Sequence, residues 1–147
     1  MRAVVPRAST LLLLRSRTGA YKFPGGGAGT GEDVFAALAR ELREECGVTD
    51  LRVGRHFITA VERSCAQEAG RVFEMTSRYY WCSTVEGALR VPQRLEAYED
   101  DLGLTPVWVA PEAAIAGNRS LSATSAAVLP WLVRDTHVLR AVARSWR

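Results

Sequence analysis

Glu41, Glu44 and Glu45 are the side chains most able to do chemistry in this sequence. Their spacing is i, i+3, i+4. On a helix over residues 33–46 the three carboxylates fall within about 100° of arc. Like charges at that spacing cost about 0.2–0.5 kcal/mol per pair on an exposed helix. They also lie in the C-terminal half, where the helix macrodipole disfavours anions. A bound divalent cation removes both penalties. Magnesium suits the position, because it takes hard oxygen ligands and bridges carboxylates to substrate phosphates. The plainer alternative is a solvated acidic face neutralised by Arg40 and Arg43. Just upstream lies a glycine cluster, Gly25-Gly26-Gly27-Ala28-Gly29-Thr30-Gly31. With few side chains, its backbone N–H groups and the start of the following helix can approach an anion closely. It is not a dinucleotide fingerprint, since no three glycines fall at i, i+2, i+5. It is not a P-loop, since no Gly-Lys-Ser/Thr follows. An anion-compatible loop feeding a carboxylate helix reads as a metal-bridged phosphate site.

The elements that must position these groups are legible by period. Phe35, Leu38, Ala39, Leu42 and Cys46 repeat at helical spacing. This predicts a helix over 33–46 with its apolar stripe opposite the glutamates. Thr30 or Asp33 can cap its start, and Gly47 stands where a glycine ends a helix. Thr10 to Leu14 reads as a strand, and Tyr21-Lys22-Phe23 as a short strand stopped by Pro24. Leu51–Val61 and Arg71–Val85 read as two long strands of a hairpin. Residues 86–103 read as a loop and Pro106–Val109 as a short strand. Pro111–Ala116 begins a small helix. Ser125–Arg144 is mostly helical, broken or kinked at Pro130. Helices and strands mixed in this way predict an α/β sandwich, residues 1–147 forming one domain.

Composition narrows the class. A chain of 147 residues with 48% hydrophobic and 24% charged residues is ordinary for a globular protein. The run Leu11–Leu14 is too short for a membrane span or a signal-peptide core, so a cytoplasmic protein is expected. The net charge is +3, and Lys22 is the only lysine among 19 basic residues. The arginines are dispersed, which suits phosphate ligands without marking a nucleic-acid surface. Cys46, Cys65 and Cys82 form no C-x-x-C pair, and His56 and His137 have no metal-ligand spacing.

Residues 26–48, GGAGTGEDVFAALARELREECGV, resemble the Nudix box, G-x5-E-x7-R-E-U-x-E-E-x-G-U with U aliphatic. Gly26, Glu32, Arg40, Glu41, Leu42, Glu44, Glu45, Gly47 and Val48 meet every fixed position. Tyr21 to Gly25 also looks like the family's strand and Pro-Gly-Gly lead-in. Gly29 departs from the acidic residue often found there. The resemblance implies a mixed β-sheet between helices, an α/β/α sandwich. It implies hydrolysis of a nucleoside diphosphate linked to another moiety, with Mg²⁺, or Mn²⁺ in its place, as cofactor. Carried over by position, Glu41, Glu44 and Glu45 are metal ligands, joined by the Gly25 carbonyl. Arg40 orients a glutamate, plausibly Glu44. Glu32 and Gly47 are chiefly structural. Glu44 and Glu45 are the box candidates for the catalytic base. Family members often add a carboxylate from the loop before the last core strand; Glu99 and Asp101 are preferred here, with Asp100 between them.

Substrate recognition is open at this stage. Gly25, Gly26 and Gly27 are expected against the substrate phosphates, with Arg55, Arg63 and Arg78 available to hold them. Asn118 can read a base edge or cap a helix. Phe57, Phe73, Tyr79, Tyr80 and Trp81 can stack a base or fill the core. The favoured substrate is a nucleoside triphosphate, including a modified one, because signatures of the ADP-ribose, dinucleoside-polyphosphate and NADH types are missing. Two alternatives stand beside the hydrolase: a catalytically silent domain that senses a nucleotide or a partner, and an enzyme acting on RNA 5′ ends. The expected partner is a small-molecule nucleotide, with neither a membrane nor a stable nucleic-acid partner. A homodimer through strands or through Val128, Leu132, Val138, Leu139 and Val142 is left open.

Overall fold

The computed structural model of the protein describes residues 1–65, 71–85, 102–124 and 129–146. In chain order the elements are β1 (Arg2–Val4), β2 (Pro6–Arg7), β3 (Thr10–Arg15), β4 (Tyr21–Lys22), α1 (Val34–Cys46), β5 (Arg52–Cys65), β6 (Val72–Ser83), β7 (Thr105–Val109), α2 (Pro111–Thr124) and α3 (Pro130–Ser145). One sheet runs β1-β6-β5, with β1 parallel to β6 and β5 antiparallel to it. The other runs β2-β3-β4, and β7 also pairs antiparallel with β3.

The four consecutive leucines of β3 explain the layering. Side chains alternate across a strand, so an unbroken apolar run is stable only when both faces are covered. Leu12 and Leu14 join Ala3, Val5 and the α1 residues Leu38, Leu42 and Cys46 in one core. Leu11 and Leu13 join Val4, Phe23, Tyr79, Ala114 of α2 and Val138, Leu139 and Val142 of α3 in another. The result is the α/β/α sandwich expected above, with α1 on one face and α2 and α3 on the other. No helix among the described residues is long and apolar enough to cross a membrane. Cys46 and Cys82 are buried free thiols, and burial pushes the Cys82 thiol up to about 12.

Helix α1 lies where its period placed it. Asp33 caps it by accepting from the Phe35 and Ala36 N–H groups, and Gly47 closes it at φ 70°. Two details differ. Phe35 is half exposed, its ring edge against Tyr80. Glu45 belongs to the buried stripe, because it follows Leu38 and Leu42 by seven and three residues.

Other differences lie in the pairing and the helices. Strands β1 and β2 were not anticipated. Strand β5 runs past the expected Val61 to Cys65, β6 lies within the expected Arg71–Val85, and their register is irregular around His56. Gly54 serves that irregularity: a Cβ there would lie 2.8 Å from the Trp81 carbonyl oxygen. Helix α2 runs well past Ala116, although Gly117, Asn118, Ser120 and Ser122 are weak helix formers. Tertiary contact overrides propensity: Asn118 bonds β4, and a Cβ on Gly117 would lie 3.0 Å from the Tyr21 ring. Helix α3 begins with Pro130 at its first turn, so the proline starts the helix rather than kinking it. The expected start of that helix at Ser125, the acidic loop with Glu99, Asp100 and Asp101, and Val128 lie outside the described residues.

Candidate active site

The glycine loop and α1 meet through Glu45 and Glu41. Glu45 is 1% exposed, and its Oε2 accepts from the Gly25 N–H at 2.6 Å. Gly25 has φ 124°, and a Cβ there would collide with the Met1 carbonyl oxygen, so only glycine fits. A Cβ on Gly26 would lie 2.6 Å from the Glu41 carboxyl carbon, which shows how closely that carboxylate underlies the loop. Glu44 is the most open of the three glutamates, its side chain 35% exposed.

Arg40 binds the loop, its cap region and the acidic face together. Its Nε and Nη2 donate to both oxygens of Glu32 at 3.0 and 3.1 Å. Its Nη1 donates to Glu41 at 2.9 Å and to Glu44 at 3.3 Å, and Nη2 also reaches the Gly27 carbonyl at 3.3 Å. Its fullest partner is therefore Glu32 rather than Glu44. Hydrogen bonds from Arg40 and from the Gly29 N–H pull the Glu32 carboxyl down to about 2, from 4.5. This pairing contributes to stability fully above about pH 4.5 and is lost as pH falls toward 2. An NMR titration is expected to place the Glu32 midpoint near 2, and Arg40→Gln to return it toward 4.5. A wild-type midpoint above about 4 would contradict this geometry.

Among the described residues no three Asp, Glu, His or Cys side chains are already gathered around a cation position. Arg40 occupies Glu41 and Glu44, and Glu45 is turned to Gly25. The donor set still suits a hard divalent cation. Glu41 and Glu45 lie against the loop, Glu44 shares Arg40 Nη1 with Glu41, and two loop carbonyls already accept from cationic groups: Gly25 from the Arg2 guanidinium, and Gly26 from the Met1 amino group at 2.6 Å. A magnesium ion would take that role with oxygen ligands from Glu41, Glu44, Glu45 and the Gly25 carbonyl.

The other expected residues divide. Arg78 is exposed on β6, and after burial and Arg2 its charge is the smallest of those that act on the Met1 amino group. Arg63 pairs with Glu74 at 2.7 Å on the hairpin, and the Arg55 guanidinium lies over the Trp81 ring. Asn118 is wholly buried, and its amide bonds the Tyr21 N–H and C=O, so it braces β4 rather than facing a base. Tyr79 and Tyr80 are core residues, Phe57 and Trp81 pack edge to face, and Phe73 stays half exposed.

One cluster was not foreseen. Asp135 of α3 is fully buried and accepts from the Phe23 N–H at 2.9 Å, the Tyr79 hydroxyl at 2.6 Å and Arg134 Nε at 2.9 Å. Arg134, its side chain 3% exposed, also donates to Glu62 at 3.1 Å. Burial opposes the Arg134 charge, but Asp135, Tyr79 and Glu62 more than offset it and raise its pKa. Burial, with the Asp135 charge, also raises the Tyr79 pKa and keeps its hydroxyl a donor. The available signal was Asp135 itself, a carboxylate on the stripe Leu132, Asp135, Leu139, Val142.

No curated protein matches this chain in sequence. Solved structures resemble it over nearly its whole length. The E. coli dihydroneopterin triphosphate pyrophosphohydrolase is similar with TM-score 0.60 and 16% identity, over 98% of this chain and 93% of that one. An ADP-ribose pyrophosphatase from Streptococcus suis gives TM-score 0.58 and 14% identity, over 99% and 89% of the two chains. The E. coli ORF135 protein gives 0.55 and 21%, over 98% and 89%. At these identities the likeness is one of fold. The family profile described as NUDIX domain matches residues 2–132, a span that holds the glycine loop, Arg40 and all three glutamates. With the box complete and that profile matched over most of its length, the chain belongs to the NUDIX family of hydrolases.

Proposed function

We propose that this protein is a Mg²⁺-dependent hydrolase of the pyrophosphate linkage in a nucleoside diphosphate derivative, in the simplest case a normal or modified nucleoside triphosphate. The reading treats residues 1–147 as one cytoplasmic domain, with Mn²⁺ able to replace Mg²⁺. One observation carries it: Glu41 and Glu45 are both held against the glycine loop, one beneath Gly26 and one on the Gly25 N–H. A divalent metal held by Glu41, Glu44, Glu45 and the Gly25 carbonyl would supply positive charge to the phosphate oxygens and acidify a water molecule. The chain's own groups supply the rest. Gly25 to Gly27 let backbone approach the diphosphate. Arg40 holds the glutamates in place and fixes the loop at Gly27. Glu44, the most exposed box carboxylate, is placed to accept the proton of the attacking water. Glu45, buried on the loop, keeps a fixed negative charge beside it. Glu99 and Asp101 remain candidates for a further carboxylate outside the box. Of the expected arginines, Arg63 is paired with Glu74 and Arg55 lies over Trp81, which leaves exposed Arg78 as the candidate to meet a phosphate.

The test is a phosphate-release screen. It covers normal and oxidised nucleoside triphosphates, dinucleoside polyphosphates, ADP-ribose, nucleotide sugars and triphosphorylated RNA, with Mg²⁺ and then Mn²⁺. Turnover that disappears with EDTA and in Glu44→Gln supports the hydrolase. Binding of a nucleotide without turnover moves the protein to the sensor reading, and turnover confined to RNA moves it to RNA 5′ ends.

Gly26→Ala gives a finer check. The three atoms nearest the new methyl group all belong to the Glu41 carboxyl, the end of a flexible side chain, so stability should change by less than about 1 kcal/mol. Displacing that carboxylate should lower kcat by at least about tenfold. Unchanged kcat would show that Glu41 need not sit beneath the loop.

A further inference from the structure

Arg134 is nearly buried, yet its Nη2 has no hydrogen-bond partner among the described residues. A buried donor left unmade costs about 1–3 kcal/mol. Its other nitrogens are committed, Nε to Asp135 and Nη1 to Glu62. Arg134 also lines a cavity of about 450 Å³ between β5 and the first turns of α3. Glu62 shares that lining, and the apolar part of the wall includes Ala60, Val61, Pro130 and Val133. A volume of this size, mostly apolar with a few convergent polar groups, is typical of small-molecule sites.

The charges indicate what kind of group belongs there. Glu62, on the cavity lining, and Asp135, behind it, place two carboxylates on the Arg134 guanidinium; Arg63, also on the lining, is paired with Glu74, and His137 completes the wall. The cluster is therefore not electropositive, and a phosphate gains little from it. A neutral flat ring with an acceptor for Nη2 satisfies the orphaned donor and covers the apolar wall. The cavity is also tied to the box. Asp135, next to Arg134, accepts from the N–H of Phe23, two residues before Gly25, and Gly25 in turn donates to Glu45.

We propose that this cavity seats the heterocyclic base of the nucleotide, and that Arg134, held by Glu62 and Asp135, determines base specificity by donating from Nη2 to a ring acceptor. This rests on the nucleotide reading above and adds the residue that chooses among nucleotides. The base then binds on the α3 side of the sheet, while the diphosphate lies at the glycine loop.

The test uses the full chain in EDTA, so that turnover is not required. Calorimetric Kd values are measured for ATP, GTP, CTP and UTP, and for inorganic tripolyphosphate as a base-free probe. At least one nucleotide should bind about tenfold or more tighter than tripolyphosphate. Arg134→Lys keeps the charge between the two carboxylates and removes Nη2. It should weaken that nucleotide about tenfold and leave tripolyphosphate within about twofold. Ala60→Leu fills the cavity without touching a charge and should do the same; it decides the matter if Arg134→Lys does not fold. The proposal is overturned if no nucleotide binds tighter than tripolyphosphate, or if the folded variants bind nucleotides as wild type does. Parallel Mg²⁺ assays separate the two readings. Turnover with nucleotide affinity unchanged in the variants removes the base site and keeps the hydrolase. Base-selective binding without turnover does the reverse.

Discussion

Glu45→Gln is expected to lower kcat by about 10³-fold while leaving the fold intact. The two halves of that expectation come from one contact. Glu45 Oε2 accepts from the Gly25 N–H at 2.6 Å, in a position 1% exposed. A glutamine amide oxygen can accept the same bond, so the loop stays attached to α1. What disappears is a negative charge that is costly to bury. The thermal midpoint should therefore stay level or rise, as is common when a functional carboxylate is neutralised. Glu45→Ala should differ, since it also removes the acceptor for Gly25. Phosphate release and thermal melts on the two variants give the comparison. If Glu45→Gln retained kcat within about fivefold, the buried carboxylate would be a strut for the loop and the proposed chemistry would have to rest on Glu41 and Glu44.

How far the sequence reaches depends on how local each signal is. Helix α1 is local. Its cap at Asp33, its stop at Gly47 and its apolar period all lie within fifteen residues; the cap and the stop are realised, and the period holds at Leu38, Leu42 and Cys46, with Phe35 half exposed and Glu45 buried in its place. The glycine loop and glutamate spacing are equally local, which is why the box could be read directly. Strands β1 and β2 are different. The three residues of β1 form a strand because they pair with Tyr79 to Trp81, far along the chain. Three residues carry no period of their own. The Glu62–Arg134–Asp135 cluster is distant in sequence in the same way, and a charged pair on an amphipathic helix ordinarily reads as solvated. Glu45 and Asp135 share one trace, a carboxylate standing where the helix stripe asks for an apolar side chain. Both are buried, and both accept from the backbone around Pro24, at Gly25 and Phe23. The extended Asn118 contact shows the opposite failure: an amide suited to reading a base is spent on the Tyr21 backbone.

The largest stability loss is expected at Asp135. Asp135→Ala leaves the Arg134 charge buried with only Glu62 opposite it, and leaves the Phe23 N–H and the Tyr79 hydroxyl without their acceptor. Removing one partner of a buried pair costs about 3–5 kcal/mol. For a chain of this size that is a fall of roughly 10 °C in thermal midpoint. Asp135→Asn should fall between, because one amide oxygen can serve Tyr79 and Arg134 while the amide nitrogen opposes the Phe23 N–H. Tyr79→Phe removes a single hydrogen bond and should cost about 1 kcal/mol. Urea unfolding of the three variants tests this order. Activity below the midpoint tests what the bond to Phe23 does. Freed from Asp135, the Phe23–Pro24–Gly25 segment loses its fixed approach to Glu45, so folded Asp135→Ala should also lose kcat, whereas Tyr79→Phe should not. Stability loss without loss of kcat would mean that the core packing of Phe23 on Tyr79, at 5.3 Å between ring centres, is enough to hold the loop.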